Sequence, residues 1–107
     1  MTKHLIDWKP ENLFWGYFDA KTPPVLKVNS GDEVVMNCLP ACLPSDLPPD
    51  GHGVLGDHIL AMEKHQSNRG AGPHMLTGPL FVVGAEAGVV WQVVGVEAKR
   101  AREWGWA

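Results

Sequence analysis

The stretch Gly72-Pro73-His74-Met75-Leu76-Thr77-Gly78-Pro79-Leu80-Phe81-Val82-Val83-Gly84-Ala85-Glu86-Ala87-Gly88 organises this 107-residue chain. Two Gly-Pro pairs form corners around a His and a Thr, and a four-residue apolar run then enters another glycine-rich turn. This is the pattern of a shaped loop feeding a buried strand. Pro73 and Pro79 each fix φ and remove an N–H, while Gly72, Gly78, Gly84 and Gly88 allow positive φ or close backbone approach. A path defined this closely suits a site wall or a packed corner, not a linker.

Strand signals flank it on both sides. Upstream, residues 3–8 carry Leu5, Ile6 and Trp8 and stop at Lys9-Pro10, because Pro disfavours helix at the residue before it. Phe14, Trp15, Tyr17 and Phe18 put four rings into five positions, a density suited to a core anchor or to the wall of a small-molecule pocket. Residues 25–28, the turn Asn29-Ser30-Gly31-Asp32 and residues 33–38 form a hairpin-like unit of strand, turn and strand. Downstream, Val89-Val90-Trp91-Gln92-Val93-Val94-Gly95-Val96-Glu97 is a near-continuous β-branched run that wants both faces covered, as in the centre of a sandwich. Glu103-Trp104-Gly105-Trp106-Ala107 places two indoles beside a glycine, so those rings are expected to pack somewhere.

Between these runs, residues 39–56 hold Pro40, Pro44, Pro48, Pro49, Gly51, Gly53 and Gly56 and form a candidate lid or site wall. Asp57 can cap a short helix reaching residue 66, with Leu55, Ile59 and Met62 on one face and Leu60 beside them. The expected architecture is therefore a single, mainly β domain over residues 1–107. It is a β-sandwich, jelly-roll-like portion with one short helix near residues 57–66.

Composition narrows the function classes. Apolar residues make up 45% and charged residues 20%, which suits a soluble globular chain and not a disordered one. The net charge is −3, and the basic residues are dispersed apart from Lys99-Arg100-Ala101-Arg102, which argues against a nucleic-acid partner. No apolar run approaches the ~18 residues of a membrane span, and the first residues lack the apolar core of a signal peptide, so a cytoplasmic location is expected. Cys38-Leu39-Pro40-Ala41-Cys42 has neither redox nor zinc-motif spacing. Two reduced thiols are expected, Cys38 in a strand and Cys42 in a loop.

Phe18-Asp19-Ala20-Lys21-Thr22-Pro23-Pro24-Val25-Leu26, the Ser30-Gly31-Asp32 turn, Gly72-Pro73-His74-Met75-Leu76-Thr77-Gly78-Pro79 and Gly84-Ala85-Glu86 together resemble the N-terminal region of the acetamidase/formamidase family. The block at residues 70–86 is the specific part, and the likeness extends over residues 13–106. The resemblance implies a β-rich sandwich and a hydrolase of short linear amides, such as formamide or acetamide, that uses a divalent metal, zinc foremost. It also implies that this chain corresponds to an N-terminal portion, with the family's His- and Asp-rich metal segments downstream. On that basis the chain alone is expected to be inactive and to bind no metal. One departure is local: the family favours Pro-Gly-Asp after Glu86, where this chain has Ala87-Gly88-Val89.

Individual candidates follow. His74, in the most sculpted corner, is the first choice for a substrate-side or metal-side contact, against the ordinary alternative of a hydrogen-bonded structural imidazole. Glu86 is the second catalytic candidate, as a general base or as the residue that closes its turn. Trp15, Tyr17, Phe18 and Thr77 are the substrate-pocket candidates, and the Thr77 hydroxyl has no neighbouring base in sequence. His52, His58 and His65 could supply ligands with Asp57 or Glu63, but His58 and His65 would lie about 10 Å apart along one helix face, too far for one ion. Expected partners are a small amide, a C-terminal partner chain or a second copy of the chain. The alternative reading is a non-catalytic sandwich module that self-associates through exposed apolar surface.

Overall fold

The computed structural model describes residues 1–40, 42–46, 56–64, 69–95 and 97–100. Its elements are β1 (Lys3–Ile6), β2 (Leu13–Trp15), β3 (Leu26–Val28), β4 (Glu33–Met36), α1 (Gly56–Lys64), β5 (Met75–Thr77) and β6 (Leu80–Val82), with single 3-10 turns at Pro10–Asn12 and Pro44–Asp46. The architecture is mainly β with one short helix. Helix α1 falls within two residues of its expected bounds, and residues 65 and 66 lie outside the described residues.

The strands form three two-stranded ribbons. β1 and β4 are parallel, with Leu5 opposite Val35. β2 and β5 are antiparallel, with Phe14 opposite Leu76. β3 and β6 are parallel, with Lys27 opposite Phe81. The opening stretch is the connector, since its strand changes partner at Gly78-Pro79, leaving β2 for β3. Gly78 sits at φ +126 and donates its N–H to the Asn12 carbonyl at 2.9 Å, while the Pro79 carbonyl accepts from Val25 N–H at 2.9 Å. The second corner, Gly78-Pro79, therefore directs two pairings, as its Gly-Pro chemistry suggested.

The hairpin expected from residues 25–38 is not formed, although both strands and the turn are. Gly31 takes φ +89 and Asp32 N–H donates to the Asn29 carbonyl. The Asp32 carboxylate then captures Asn29 N–H, Thr2 N–H and the His4 ring, each at 3.0 Å. These bonds, with Glu33 N–H to the Thr2 carbonyl, draw β1 alongside β4 and occupy the place where β3 would have paired. A side chain that closes the turn and recruits a third segment separates the two strands it joins.

The core contains Leu13 and Trp15 of β2, Met75 of β5, Ala61 and Met62 of α1, and Leu39 and Cys42 from the connection, with Trp8 and Leu43 packed against it. Alternation in β2 explains its share: Leu13 and Trp15 point inward while Phe14 lies between. Ile59 is half-buried beside Met62, and Leu60 faces outward. Leu55, the third member of the expected helix face, lies outside the described residues.

Two further expectations change. Strand β4 ends at Met36, so Cys38 is an exposed thiol beyond it, whereas Cys42 is buried. The run expected as a central strand belongs to no strand among the described residues, with Val90 94% and Val93 85% exposed. It has strand propensity without a ladder neighbour.

The Asp32 cluster generates a pH prediction. Its bonds from Asn29 N–H, Thr2 N–H and His4 hold the carboxyl down from 3.8 to about 2. Between those values the unfolded chain binds the proton and the folded chain does not, so this contribution is present above pH 3.8 and is lost as pH falls toward 2. Asp32→Asn should flatten the fall of stability across that window in urea melts. An unchanged acid slope would contradict the assignment.

Candidate functional site

The corner that precedes β5 is built by glycines meeting the aromatic segment. Gly70 N–H donates to the Trp15 carbonyl at 3.1 Å, and the Trp15 indole N–H donates to the Gly72 carbonyl at 2.8 Å. Trp15 thus fills the core with its ring and fixes the loop with its polar edge. A β-carbon on Gly70 would lie 2.6 Å from a Tyr17 ring carbon, and one on Gly16 would lie 2.9 Å from the Ala71 carbonyl oxygen. The two backbones approach as closely as they do because neither residue has a side chain.

Leu43, Asp46, Arg69, Gly70, Ala71, Gly72 and Pro73 line an open depression of about 370 Å³ beside this corner. It has a glycine-rich floor, one carboxylate and one guanidinium. Asp46 also closes its own turn by accepting Leu43 N–H at 3.0 Å, which holds the carboxylate at the rim. Burial pushes the neighbouring Cys42 thiol up, with the Asp46 charge adding to the effect, so this sulfur is poorly suited to act as a thiolate nucleophile.

The sequence candidates are distributed around this corner and are not gathered in it. His74 is exposed next to Gly72, whose β-carbon position lies 4.0 Å from the imidazole. Tyr17 is 60% exposed with its ring against Gly70, and Phe18 is 97% exposed. Thr77 donates its hydroxyl to the Asn37 carbonyl at 3.0 Å, a tie between β5 and the end of β4. Glu86 presents an exposed side chain, and its backbone carbonyl closes the following turn by accepting Val89 N–H at 3.2 Å. None of His74, Glu86, Trp15, Tyr17, Phe18 or Thr77 is among the described residues that line the depression.

Sequence reasoning missed Asp46 and Arg69, which come from two different connections. Asp46 lies in the stretch expected as a lid or site wall, but nothing local to it points to Arg69. It also missed Asp7 and Asn37. The Asn37 amide donates to the Asp7 carboxylate at 3.0 Å and Trp8 N–H donates to the same oxygen at 2.9 Å. Together these bonds hold the Asp7 carboxyl below its ordinary value, helped by the Lys9 and His58 charges. His58 itself stacks edge-on to Trp8, with ring centres 4.3 Å apart.

The metal implied by the family resemblance does not find a site here: among the described residues, no group of three or more His, Cys, Asp or Glu side chains is placed to hold an ion. His52 and His65 lie outside them. No helix among the described residues is long and apolar enough to cross a membrane. No protein-family profile, curated protein or solved structure matches the chain.

Two glycines with left-handed φ separate strain from crowding. Gly31 at +89 has open space around its β-carbon position, whereas Gly16 at +81 would meet backbone atoms at 2.9 and 3.1 Å. Gly31→Ala should cost about 1–2 kcal/mol from backbone strain alone, and Gly16→Ala a further ~1–3 kcal/mol from overpacking. Equal losses in denaturant titrations would contradict this close approach of the two backbones.

Proposed function

We propose that this chain is part of an amide hydrolase of the acetamidase/formamidase type, acting on short linear amides such as formamide or acetamide, and that its metal ligands belong to a further portion. The reading rests on the signature at residues 70–86. In support, the glycines of that signature are used where only glycine serves well: Gly72 at φ +80, Gly78 at +126 and Gly84 at +81, with Gly70 under the Tyr17 ring. The ribbons β1–β4, β2–β5 and β3–β6 are, on this reading, pieces of one jelly-roll-like sandwich whose remaining strands come from the missing portion.

In such an enzyme the corner at residues 70–79 is a substrate-side wall that carries His74 and Thr77 and is supported by Trp15 and Tyr17, while Glu86 and Phe18 are exposed candidates outside it. The depression at Arg69 and Asp46 adds a polar pair able to hydrogen-bond a small amide through its carbonyl and its NH₂. A divalent metal, zinc foremost, is expected in the completed protein.

The test is ammonia release from formamide and acetamide by the purified chain, with and without added zinc and with a complementing C-terminal polypeptide. The expected result is no turnover alone and turnover on complementation. Zinc-dependent turnover by the chain alone would overturn the claim that ligands are missing, and no turnover under any condition would overturn the amidase reading.

A further inference from the structure

We infer that the depression at Asp46 and Arg69 binds a zwitterion: a small α-amino acid whose carboxylate meets the Arg69 guanidinium and whose ammonium meets the Asp46 carboxylate. The inference concerns binding by this chain, goes beyond the amide reading and does not depend on it. The two charged side chains line one depression of about 370 Å³. Yet among the described residues no ion pair joins them, and no other group takes the guanidinium. One Asp46 oxygen accepts the Leu43 N–H, which orients the carboxylate and leaves its second oxygen without a hydrogen bond among the described residues.

The floor adds backbone donors beside Arg69. Gly70 N–H and the Gly72 carbonyl are both committed to Trp15, whereas among the described residues nothing accepts from the Ala71 or Gly72 N–H. The two Trp15 bonds hold the loop in place before a ligand arrives, which lowers the ordering cost of binding. Leu43 and Pro73 border the same space and suit a short apolar side chain.

Charge selects the occupant. A simple anion such as phosphate gains the guanidinium but meets the Asp46 carboxylate, and a simple cation meets the converse penalty. A neutral amide can hydrogen-bond both groups but neutralises neither. A zwitterion neutralises both, with charge-assisted hydrogen bonds at each end. Asp46 and Arg69 are exposed, so each pairing contributes modestly, up to about fivefold in affinity.

Titration of the isotope-labelled chain with L-alanine, followed through its backbone amide resonances, tests this. The signals of Gly70, Ala71 and Gly72 should move and saturate. L-Alaninamide, which lacks the carboxylate, N-acetyl-L-alanine, which lacks the ammonium, and acetamide should each bind about fivefold more weakly. Arg69→Gln and Asp46→Asn should weaken L-alanine by a similar factor with the remaining resonances unmoved. Asp46→Asn keeps an acceptor for Leu43 N–H, so its turn should persist. Because the readout is binding by the chain alone, the presence or absence of amide turnover does not enter it. An absent response to L-alanine, an equal response to acetamide, or undiminished binding by Arg69→Gln would each overturn the proposal.

Discussion

The hydrogen bonds around Asp7 and Asn37 hold two of the ribbons together. Asn37 N–H donates to the Ile6 carbonyl, its side-chain amide donates to the Asp7 carboxylate, and its carbonyl accepts the Thr77 hydroxyl. The Asp7 carbonyl in turn accepts from the Asn12 amide, and the Asn12 carbonyl accepts from Gly78 N–H. Four segments, at residues 6–7, 12, 37 and 77–78, thus meet at strand ends through short polar side chains and backbone groups. Two-stranded ribbons are marginal alone in water, so cross-ties of this kind, together with the apolar core under β2, β5 and α1, give the fold its cohesion.

The same arrangement explains where chemistry can sit. Once Thr77 and Gly78 are tied to the ends of β4 and the Pro10–Asn12 turn, the chain before β5 must pass over Trp15, and the small residues at 70–72 let it pass closely. The depression at Leu43, Asp46 and Arg69 is a by-product of that crossing, and on the proposed amidase reading it lies at the substrate side. Among the described residues, each ribbon has two strands and so leaves outer strand edges unpaired. A fold made this way is suited to extension by further strands, whether from a copy of the chain or from another polypeptide.

Local features were legible in the sequence because local forces determine them. Pro10, the Ser30-Gly31-Asp32 turn, the Gly-Pro corner at residues 78–79 and the apolar face of α1 each follow from backbone sterics or from side-chain spacing. Pairing was not legible. The hairpin expected from residues 25–38 gives way to pairing of β4 with β1, which the Asp32 carboxylate supports by binding Thr2 and His4, a contact across about thirty residues with no local signature. The run at residues 89–97, expected as a central strand, forms no strand among the described residues, because propensity says nothing about whether a neighbour is present. Asp46 and Arg69 share a depression only because two connections converge on it, and neither residue belongs to a recognisable spacing motif.

The central claim is that the valine run at residues 89–94 has no strand partner among the described residues. Amide hydrogen exchange resolved by residue tests it most directly. In dilute solution the amides of Val90 to Val94 should exchange at rates close to those of an open chain, while Leu76 and Gly78 are protected. Strong protection of residues 90–94 at the lowest concentration would show that the strand is already paired within one chain and would contradict the account.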